Sequence, residues 1–270
     1  MVQANQARSE GERGVFQVGA LRIWFLGLTA SAFGAWLGWI GGETAATYLR
    51  WDPSALDSDF RERGLRDSEI TDLLFASRVR AETKNTALTF GILGGSIGLS
   101  FGLIGSLGGH MRRCSVLGGM GGLILGFVAG VSISIVLVPL FFARLEDGPS
   151  PVLPVLMHIG MYSTIGAVAG FSFGFGLSRW RGAGQGLVAG FMGALLGAFV
   201  NDVLHTILFP LEWEYSPIPG TGSSRLMGHL LVSLLAMICS VAVLSGRVQN
   251  HHTAKESTVQ AKSPHVQLED

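Results

Sequence analysis

The stretch SVLGGMGGLILGFVAGVSISIVLVPL, residues 115–140, decides the fold class because it contains no charged residue. A helix needs about 20 consecutive apolar residues to cross a bilayer. Only helices and closed barrels satisfy every backbone polar group in lipid, and barrel strands would be about 10 residues long with alternating polarity. This continuous apolar run therefore predicts a transmembrane helix.

The composition of the whole chain agrees with a membrane protein. The 270 residues have a mean hydropathy of +0.44 and include 14% charged residues, whereas soluble domains carry about 25%. The net charge is zero, which argues against a nucleic-acid partner, because that partner requires a basic face. The expected partner is the lipid bilayer.

Six apolar segments follow one another, each long enough to span the hydrocarbon. They cover roughly residues 20–42, 86–108, 115–142, 153–177, 184–210 and 226–246. The first has no cleavage-type ending and is interpreted as an uncleaved signal anchor. We therefore expect an all-α integral membrane domain of six transmembrane helices over residues 20–246. The polar tails, residues 1–19 and 247–270, are expected to be cytoplasmic and disordered.

The placement of charge orients these segments. The short loops HMRRC (110–114) and SRWRG (178–182) are basic, whereas ARLEDG (143–148) and LEWEYSPIPG (211–220) are acidic or mixed. By the positive-inside rule both termini face the cytoplasm, which agrees with an even number of spans. The expected location is the cytoplasmic membrane of a prokaryote.

The longer loop between the first two segments, residues 43–85, carries mixed charge and is expected outside the cytoplasm. Its second half, residues 65–85, is predicted to be an amphipathic helix that is capped by Asp67 or Ser68 and continues into the second segment. Its narrow apolar stripe consists of Ile70, Leu73, Leu74 and Ser77. The stripe favours a helix on the membrane surface or on the bundle; a lid is the alternative.

An internal repeat relates segments two and three to segments four and five. GLSFGLIG (98–105) aligns with GFSFGFGL (170–177), an offset of 72 residues. Both copies start outside, turn at a basic loop and return, so they are parallel hairpin repeats. Further pairs at an offset of 71 are Gly119 with Gly190, Gly122 with Gly193, Gly126 with Gly197, Pro139 with Pro210, and His158 with His229.

The 39 glycines lie mainly inside the apolar segments. Glycine costs about 1 kcal/mol relative to alanine in a soluble helix, but in lipid small residues let helix backbones approach closely. The ladders GGMGGLILG (118–126) and AGFMGALLG (189–197) therefore predict glycine-packed helix crossings, with a glycine-lined pore as the alternative. Such faces can also pack between subunits, so a homo-oligomer or a partner in a membrane complex remains open.

One candidate site lies in FVNDVLHTILFP, residues 199–210. Inserting a central aspartate into a membrane costs about 2.5–3.5 kcal/mol, and such groups usually face the bundle interior or water. His205 shares a helix face with Asp202, and histidines of segments four and six fall at a similar depth. The candidate polar or transport site is Asn201, Asp202, His205, His158 and His229.

Three interpretations of this site stay open. The first is a metal site with ligands from His158, Asp202, His205 and His229, because imidazoles with a carboxylate suit zinc or another first-row ion. The second is a proton-titrating pair in which Asp202 favours a charged His205. The third is a structural hydrogen-bonded cluster.

The motifs leave three classes of function. They are a permease or channel for a small solute or ion, a structural or assembly subunit of a membrane complex, and a membrane metalloenzyme that uses the His/Asp cluster. The sequence has neither a nucleophile elbow nor a His-Glu-x-x-His motif, and the cofactor stays unknown. Cys114 and Cys239 are expected to be unpaired thiols.

Overall fold

The computed structural model describes residues 2–48, 51–109, 115–146, 148, 150, 152–209 and 221–262. Side chains are described between residues 21 and 245, except at 46–48, 55 and 146. This part of the chain is all-helical, in the order α1 (Val2–Tyr48), α2 (Pro53–Glu62), α3 (Asp67–Gly108), α4 (Ser115–Glu146), α5 (Val152–Leu208) and α6 (Gly222–Lys262). The predicted disorder of the two tails stays a prediction.

Five of these helices contain stretches long and apolar enough to cross a membrane, and α2 is the exception. Over the described residues, the prediction of an all-α structure with several helices able to span a membrane is confirmed. Large apolar side chains are exposed along α4 and the second half of α5, as lipid contact requires. Examples are Val116, Leu117, Val136, Val188 and Leu196.

Helix α5 is interrupted at its middle. Ser178 (φ −142°, ψ 21°) and Arg179 (φ 57°, ψ −144°) have non-helical backbone angles. The two halves, α5a (152–177) and α5b (180–208), fold back on each other. The packing of Gly174 against the Gly182 carbonyl shows this close to the turn. The 57-residue element is therefore an antiparallel hairpin whose turn lies in the predicted basic loop.

Glycines bring the backbones of two hairpins into contact. In the α3–α4 hairpin, Gly94, Gly98 and Gly102 face the carbonyl groups of Gly126, Gly122 and Gly118. In the α5a–α5b hairpin, Gly166, Gly170 and Gly174 face Gly190, Gly186 and Gly182. A side chain at most of these positions would collide with the carbonyl group of the facing helix, so glycine is what permits the close approach.

These contacts do not follow the 71-residue offset of the expected repeat, which stays a prediction. The 71-residue offset equates Gly122 with Gly193, but the residue that packs against Gly170 as Gly122 packs against Gly98 is Gly186. Gly193 instead packs against Ala236 of α6. Two residues separate α5a from α5b, whereas six separate α3 from α4. Each glycine of α5a therefore faces a glycine that is fewer positions away in the sequence than the partner of the corresponding glycine of α3.

The helices α1, α3, α5a, α5b and α6 form a closed ring of neighbours, and α4 lies outside it. Helix α1 runs antiparallel to α3, with Gly38 against Leu93, and antiparallel to α6, where Ser233 Oγ donates to the Ser31 carbonyl at 3.2 Å. Helix α3 packs against α5a, α5a against α5b, and α5b against α6, whereas α4 contacts α3 and α5. Buried residues between the ring helices include Phe90, Phe101, Tyr162, Phe173 and Met237.

Helix α3 is continuous from Asp67 to Gly108, so the expected continuation of the amphipathic helix into segment two is confirmed. The predicted caps, Asp67 and Ser68, are wrong: the N-cap is Arg66. The Glu69 carboxylate accepts a hydrogen bond from the Arg66 backbone N–H at 2.9 Å. This bond starts the helix one residue earlier and places Asp67 in the first turn, where an acidic residue complements the helix dipole.

The apolar stripe of this outer part of α3 packs only in part against the rest of the chain. Ile70 is buried, whereas Leu73 is 43% exposed. Ser77 accepts a hydrogen bond from Trp51 Nε1 at 3.1 Å. The Arg78 guanidinium lies 5.7 Å from the Trp51 ring and 5.8 Å from the Phe142 ring. These contacts attach the outer segment to Trp51 and, through Phe142, to α4.

Candidate polar site in the helix ring

A buried contact between an imidazole and a carboxylate joins the two halves of α5. His158 Nδ1 lies 3.1 Å from Asp202 Oδ1, and the two side chains are only 11% and 12% exposed. The residues meet because they lie at similar distances on either side of the turn at Ser178 and Arg179. The structure thus brings together two of the predicted site residues.

Asn201 is the third member of this cluster and is 2% exposed. Its Nδ2 donates to Asp202 Oδ1 at 3.4 Å. On its other side the amide faces Gly228 of α6, where an added methyl group would lie 3.1 Å from Asn201 Oδ1. The absence of a side chain at Gly228 therefore lets α6 close against the cluster.

His229 lies next to Gly228 and is also 2% exposed. Its ring makes an edge contact with Tyr162, at a centroid distance of 6.1 Å. Tyr162 is one helical turn from His158 on the same face, and its other neighbour is Phe90 of α3 at 5.2 Å. The predicted residue His229 therefore contacts Tyr162, which lies one helical turn from His158 on α5a.

His205 lies one turn from Asp202 toward the end of α5b and is half-buried. Its ring packs beside Phe209, with 5.4 Å between the centroids. The hydrogen-bond partners that the structure gives to the Asp202 carboxylate are His158 and Asn201. A functional relation between Asp202 and His205 stays a prediction.

Several buried polar atoms of the cluster have no hydrogen-bond partner among the described residues. They are His158 Nε2, Asp202 Oδ2, Asn201 Oδ1 and His229 Nδ1, together with Ser163 Oγ, five residues after His158. Buried polar groups are normally satisfied, and leaving one unpaired costs about 1–3 kcal/mol. A polar guest that pairs with these atoms would recover that energy.

A second set of buried polar atoms on α3 was missed from the sequence. Asn85 Oδ1, Thr86 Oγ1 and Thr89 Oγ1 are buried without a partner in the described part of the chain. Their spacing puts them on one face of the helix. Thr86 lies one turn before Phe90, as His158 lies one turn before Tyr162, and Phe90 contacts Tyr162. The signal was a run of polar residues at the start of an apolar segment.

The structure does not gather the proposed ligands of a metal ion. Within the described residues, no three His, Cys, Asp or Glu side chains form a group that could hold a metal. His158 and Asp202 are joined directly, whereas His229 contacts Tyr162 and His205 contacts Phe209. The metal interpretation stays a prediction.

An ion pair ties α1 to α6 at the rim of the ring. Arg225 Nε donates to Glu43 Oε1 at 2.6 Å, and a terminal guanidinium nitrogen donates to Glu43 Oε2 at 2.7 Å. Nearby, Trp39 Nε1 donates to the Gly222 carbonyl at 2.8 Å. Arg225 lies one helical turn from His229, so this rim contact lies close to the polar cluster.

Comparisons with protein-family models, with curated proteins and with solved structures found no match to this chain. What the molecule does must therefore be inferred from the chemistry of the cluster around His158 and Asp202.

Proposed function

We propose that this protein is a permease for a small polar or charged solute, with the His158–Asp202 pair as its binding site inside the membrane. The observation that carries the proposal is this buried pair of ionisable groups, 3.1 Å apart, with further polar atoms around it that lack a protein partner. Ionisable residues that face a bundle interior are costly and mark the path of a substrate or ion.

The proposal includes six membrane crossings with both termini in the cytoplasm. The hairpin at Ser178 supports it, because it divides α5 into two crossings. The packing of Gly108 beside Ile23 also supports it, since it places the end of α3 next to the beginning of the apolar part of α1. The basic residues Arg179 and Arg181 then lie on the cytoplasmic side, as the positive-inside rule requires.

This topology can be tested by labelling single cysteines with a membrane-impermeant maleimide. The background would have both native cysteines replaced. Gly148→Cys is expected to react from outside intact cells, whereas Arg181→Cys is expected to react only after the membrane is opened. The reverse pattern would overturn the orientation, and equal labelling of both positions would overturn the count of crossings.

We also propose that the α3–α4 and α5a–α5b hairpins are two copies of one unit. The matching ladders of glycines, at Gly94, Gly98 and Gly102 in one hairpin and Gly166, Gly170 and Gly174 in the other, support this relation. Repeats are frequent in transporters, where one part rocks against another around a fixed site. The interlocked backbones favour movement of each hairpin as a rigid body.

The first experiment is a flux assay on purified protein in liposomes, with a panel of small amines, amino acids, sugars and inorganic ions. Asp202→Asn is the main variant, because it removes the charge and retains a side chain that can accept from His158. Thr206→Val is the matched control, since its hydroxyl donates only to its own helix, to the Asp202 carbonyl at 2.9 Å.

We expect a solute whose flux is lost in Asp202→Asn and retained in Thr206→Val, with both variants melting close to the wild type. Wild-type flux in Asp202→Asn would overturn the assignment of the site. A protein that moves none of the panel and copurifies with a membrane complex would instead be an assembly subunit.

A further inference from the structure

We infer that the turn between α5a and α5b is a docking surface for anionic phospholipids. This surface, called the turn surface below, consists of Arg179, Trp180 and Arg181 together with Phe171 and Phe175 of α5a. Three observations carry the inference: an exposed aromatic cluster, unpaired arginines beside it, and the lack of acidic side chains at this end of the bundle. The turn surface is independent of the proposed transport site.

The aromatic part of the turn surface has a defined arrangement. The Trp180 ring lies 5.2 Å from the Phe175 ring at an interplanar angle of 75°, and 6.2 Å from the Phe171 ring at 64°. Phe171 and Phe175 are one helical turn apart and stack at 6.1 Å. Edge contacts of this kind stabilise aromatic pairs beyond the area that they bury. Helix α5a therefore positions the indole ring and still leaves Trp180 75% exposed.

The exposed indole ring suits the boundary between lipid and water. Tryptophan is enriched there because its ring is apolar and its N–H is polar. Trp180 Nε1 has no hydrogen-bond partner among the described residues, so its N–H is available to a headgroup oxygen. The half-buried rings of Phe171 and Phe175 offer apolar surface to the adjoining acyl chains.

Arg179 and Arg181 flank Trp180 in the sequence, and both are exposed. Neither has an ion pair or a hydrogen bond among the described residues, whereas Arg225 at the opposite rim is bound by Glu43. A guanidinium group matches the geometry of a phosphate and binds it through charge-assisted hydrogen bonds. A membrane surface presents many phosphates, so each arginine can bind its own and the two need not converge on one point.

A third arginine lies at the same end of the bundle. Gly108, at the end of α3, packs beside Leu177 of α5a and Ile23 of α1, so the residue before Ile23 lies near the level of the turn. That residue is Arg22, which is also exposed and has no partner within the described part of the chain. Cationic side chains of α1, of the turn and of α5b therefore lie at this end.

The acidic side chains that the structure describes lie elsewhere. They are within residues 43–82 or at position 202, nearer the opposite end of the ring, and the sequence has no aspartate or glutamate over 83–145 or 148–201. Arginines close to an anionic bilayer surface are attracted to it, and a zwitterionic headgroup has no net charge to provide this attraction. An anionic phospholipid is therefore the lipid that the turn surface fits.

The test is quenching of Trp180 fluorescence by brominated lipids in liposomes that contain the full-length protein. Every liposome has the same mixture of phosphatidylglycerol and phosphatidylcholine. The bromine is on the phosphatidylglycerol in one set, and on an equal amount of the phosphatidylcholine in the other. The signal of Trp180 is the difference between the wild type and Trp180→Phe, which retains an aromatic ring.

We expect brominated phosphatidylglycerol to quench Trp180 more strongly than brominated phosphatidylcholine does. Arg181→Gln should lower this preference by up to about fivefold, the contribution of one arginine near an anionic surface, and the double variant with Arg179→Gln should abolish it. Arg144→Gln is the matched control, because it removes the same charge from an exposed position at the opposite end of α4. It should leave the preference unchanged.

Equal quenching by the two brominated lipids in the wild type would overturn the inference, and so would a preference that survives in the double variant. An equal loss in Arg144→Gln and Arg181→Gln would assign the preference to the net charge of the protein. Its loss on addition of inorganic phosphate at constant ionic strength would assign the arginines to a soluble anion.

Native mass spectrometry of the full-length protein gives a readout that does not depend on tryptophan, should Trp180→Phe fail to fold. The wild type is expected to retain phosphatidylglycerol in preference to phosphatidylcholine, and Arg181→Gln is expected to retain less of it than Arg144→Gln does. Retention of both lipids to the same extent by the wild type would contradict the turn surface.

Discussion

Glu43 and Arg225 are 182 residues apart in the sequence and meet through two parallel hydrogen bonds of 2.6 and 2.7 Å. The contact joins the first and last helices of the ring at one end. The two side chains are 32% and 17% exposed, so the pair lies at the boundary of the packed region. It is the point at which the ring closes above His229.

The first prediction concerns this ion pair. Glu43→Gln is expected to lower the free energy of unfolding by about 1 kcal/mol, because it replaces charge-assisted bonds at a site that water partly screens. Thermal unfolding in detergent measures the change. The exchanged pair, Glu43→Arg with Arg225→Glu, should recover most of the loss; a double variant as unstable as the worse single variant would contradict the assigned contact.

The second prediction compares two glycines with opposite surroundings. A methyl group at Gly98 would collide with the Gly122 carbonyl, whereas one at Gly121 would meet nothing within 4 Å. Gly98→Ala is therefore expected to destabilise the protein by about 1–3 kcal/mol through overpacking. Gly121→Ala should be neutral or stabilising by up to about 1 kcal/mol, the helix propensity gained. Equal melting temperatures for the two variants would contradict the backbone contact.

The third prediction concerns the wall of the polar cluster. Gly228→Ala would bring a methyl group to 3.1–3.2 Å from the Asn201 amide, so that amide must move by a few tenths of an ångström. The Asp202-dependent solute flux in liposomes is expected to fall by up to about tenfold, or ~1.4 kcal/mol. Gly184→Ala, which meets nothing within 4 Å, is the control. Unchanged flux in Gly228→Ala would mean that Asn201 does not contribute to the site.

The fourth prediction concerns the turn between α5a and α5b. Arg179 has φ 57° and ψ −144°, a backbone conformation that is nearly restricted to glycine and costs another residue about 1–3 kcal/mol. Arg179→Gly is therefore expected to raise the free energy of unfolding by about 1 kcal/mol. Arg179→Ala, which removes the same charge but keeps a Cβ, should give no such gain. Chemical denaturation of both variants makes the comparison.

The apolar helices could be predicted because their signal is local. A run of residues such as 115–140 is long and uncharged, and the requirement for backbone hydrogen bonds in lipid leaves a helix as its structure. The continuation of the amphipathic segment through Lys84 into the second apolar segment could also be predicted, since the sequence has no proline between them. The α5 turn was expected from the basic residues of SRWRG.

The register of the hairpins could not be predicted, for a physical reason. Glycines recur every three or four residues along these helices, so alignments that differ by two helical turns match almost equally well. In the structure Gly170 faces Gly186, and not the Gly193 that the 71-residue offset selects. The length of the turn decides which glycines of the two helices face each other, and the pattern of apolar residues does not reveal that length.

The candidate site was half predictable for a similar reason. Position along a helix gives depth in the membrane, and depth placed His158, Asp202 and His229 at one level. Depth does not say which helices are neighbours. The pairing of Asp202 with His158, and the seating of Asn201 on Gly228, follow from how the glycines pack α5a, α5b and α6 together.

The glycine ladders have a consequence for the evolution of such a chain. Residues on its exposed apolar surface, such as Val116 and Leu196, can be exchanged for other apolar residues at little cost, whereas Gly98 and Gly170 cannot acquire a side chain without separating two backbones. Descendants of one ancestor would therefore diverge quickly in most positions and keep the spacing of these glycines. Homologous chains would therefore still share a spacing of small residues after their overall sequence identity had become low.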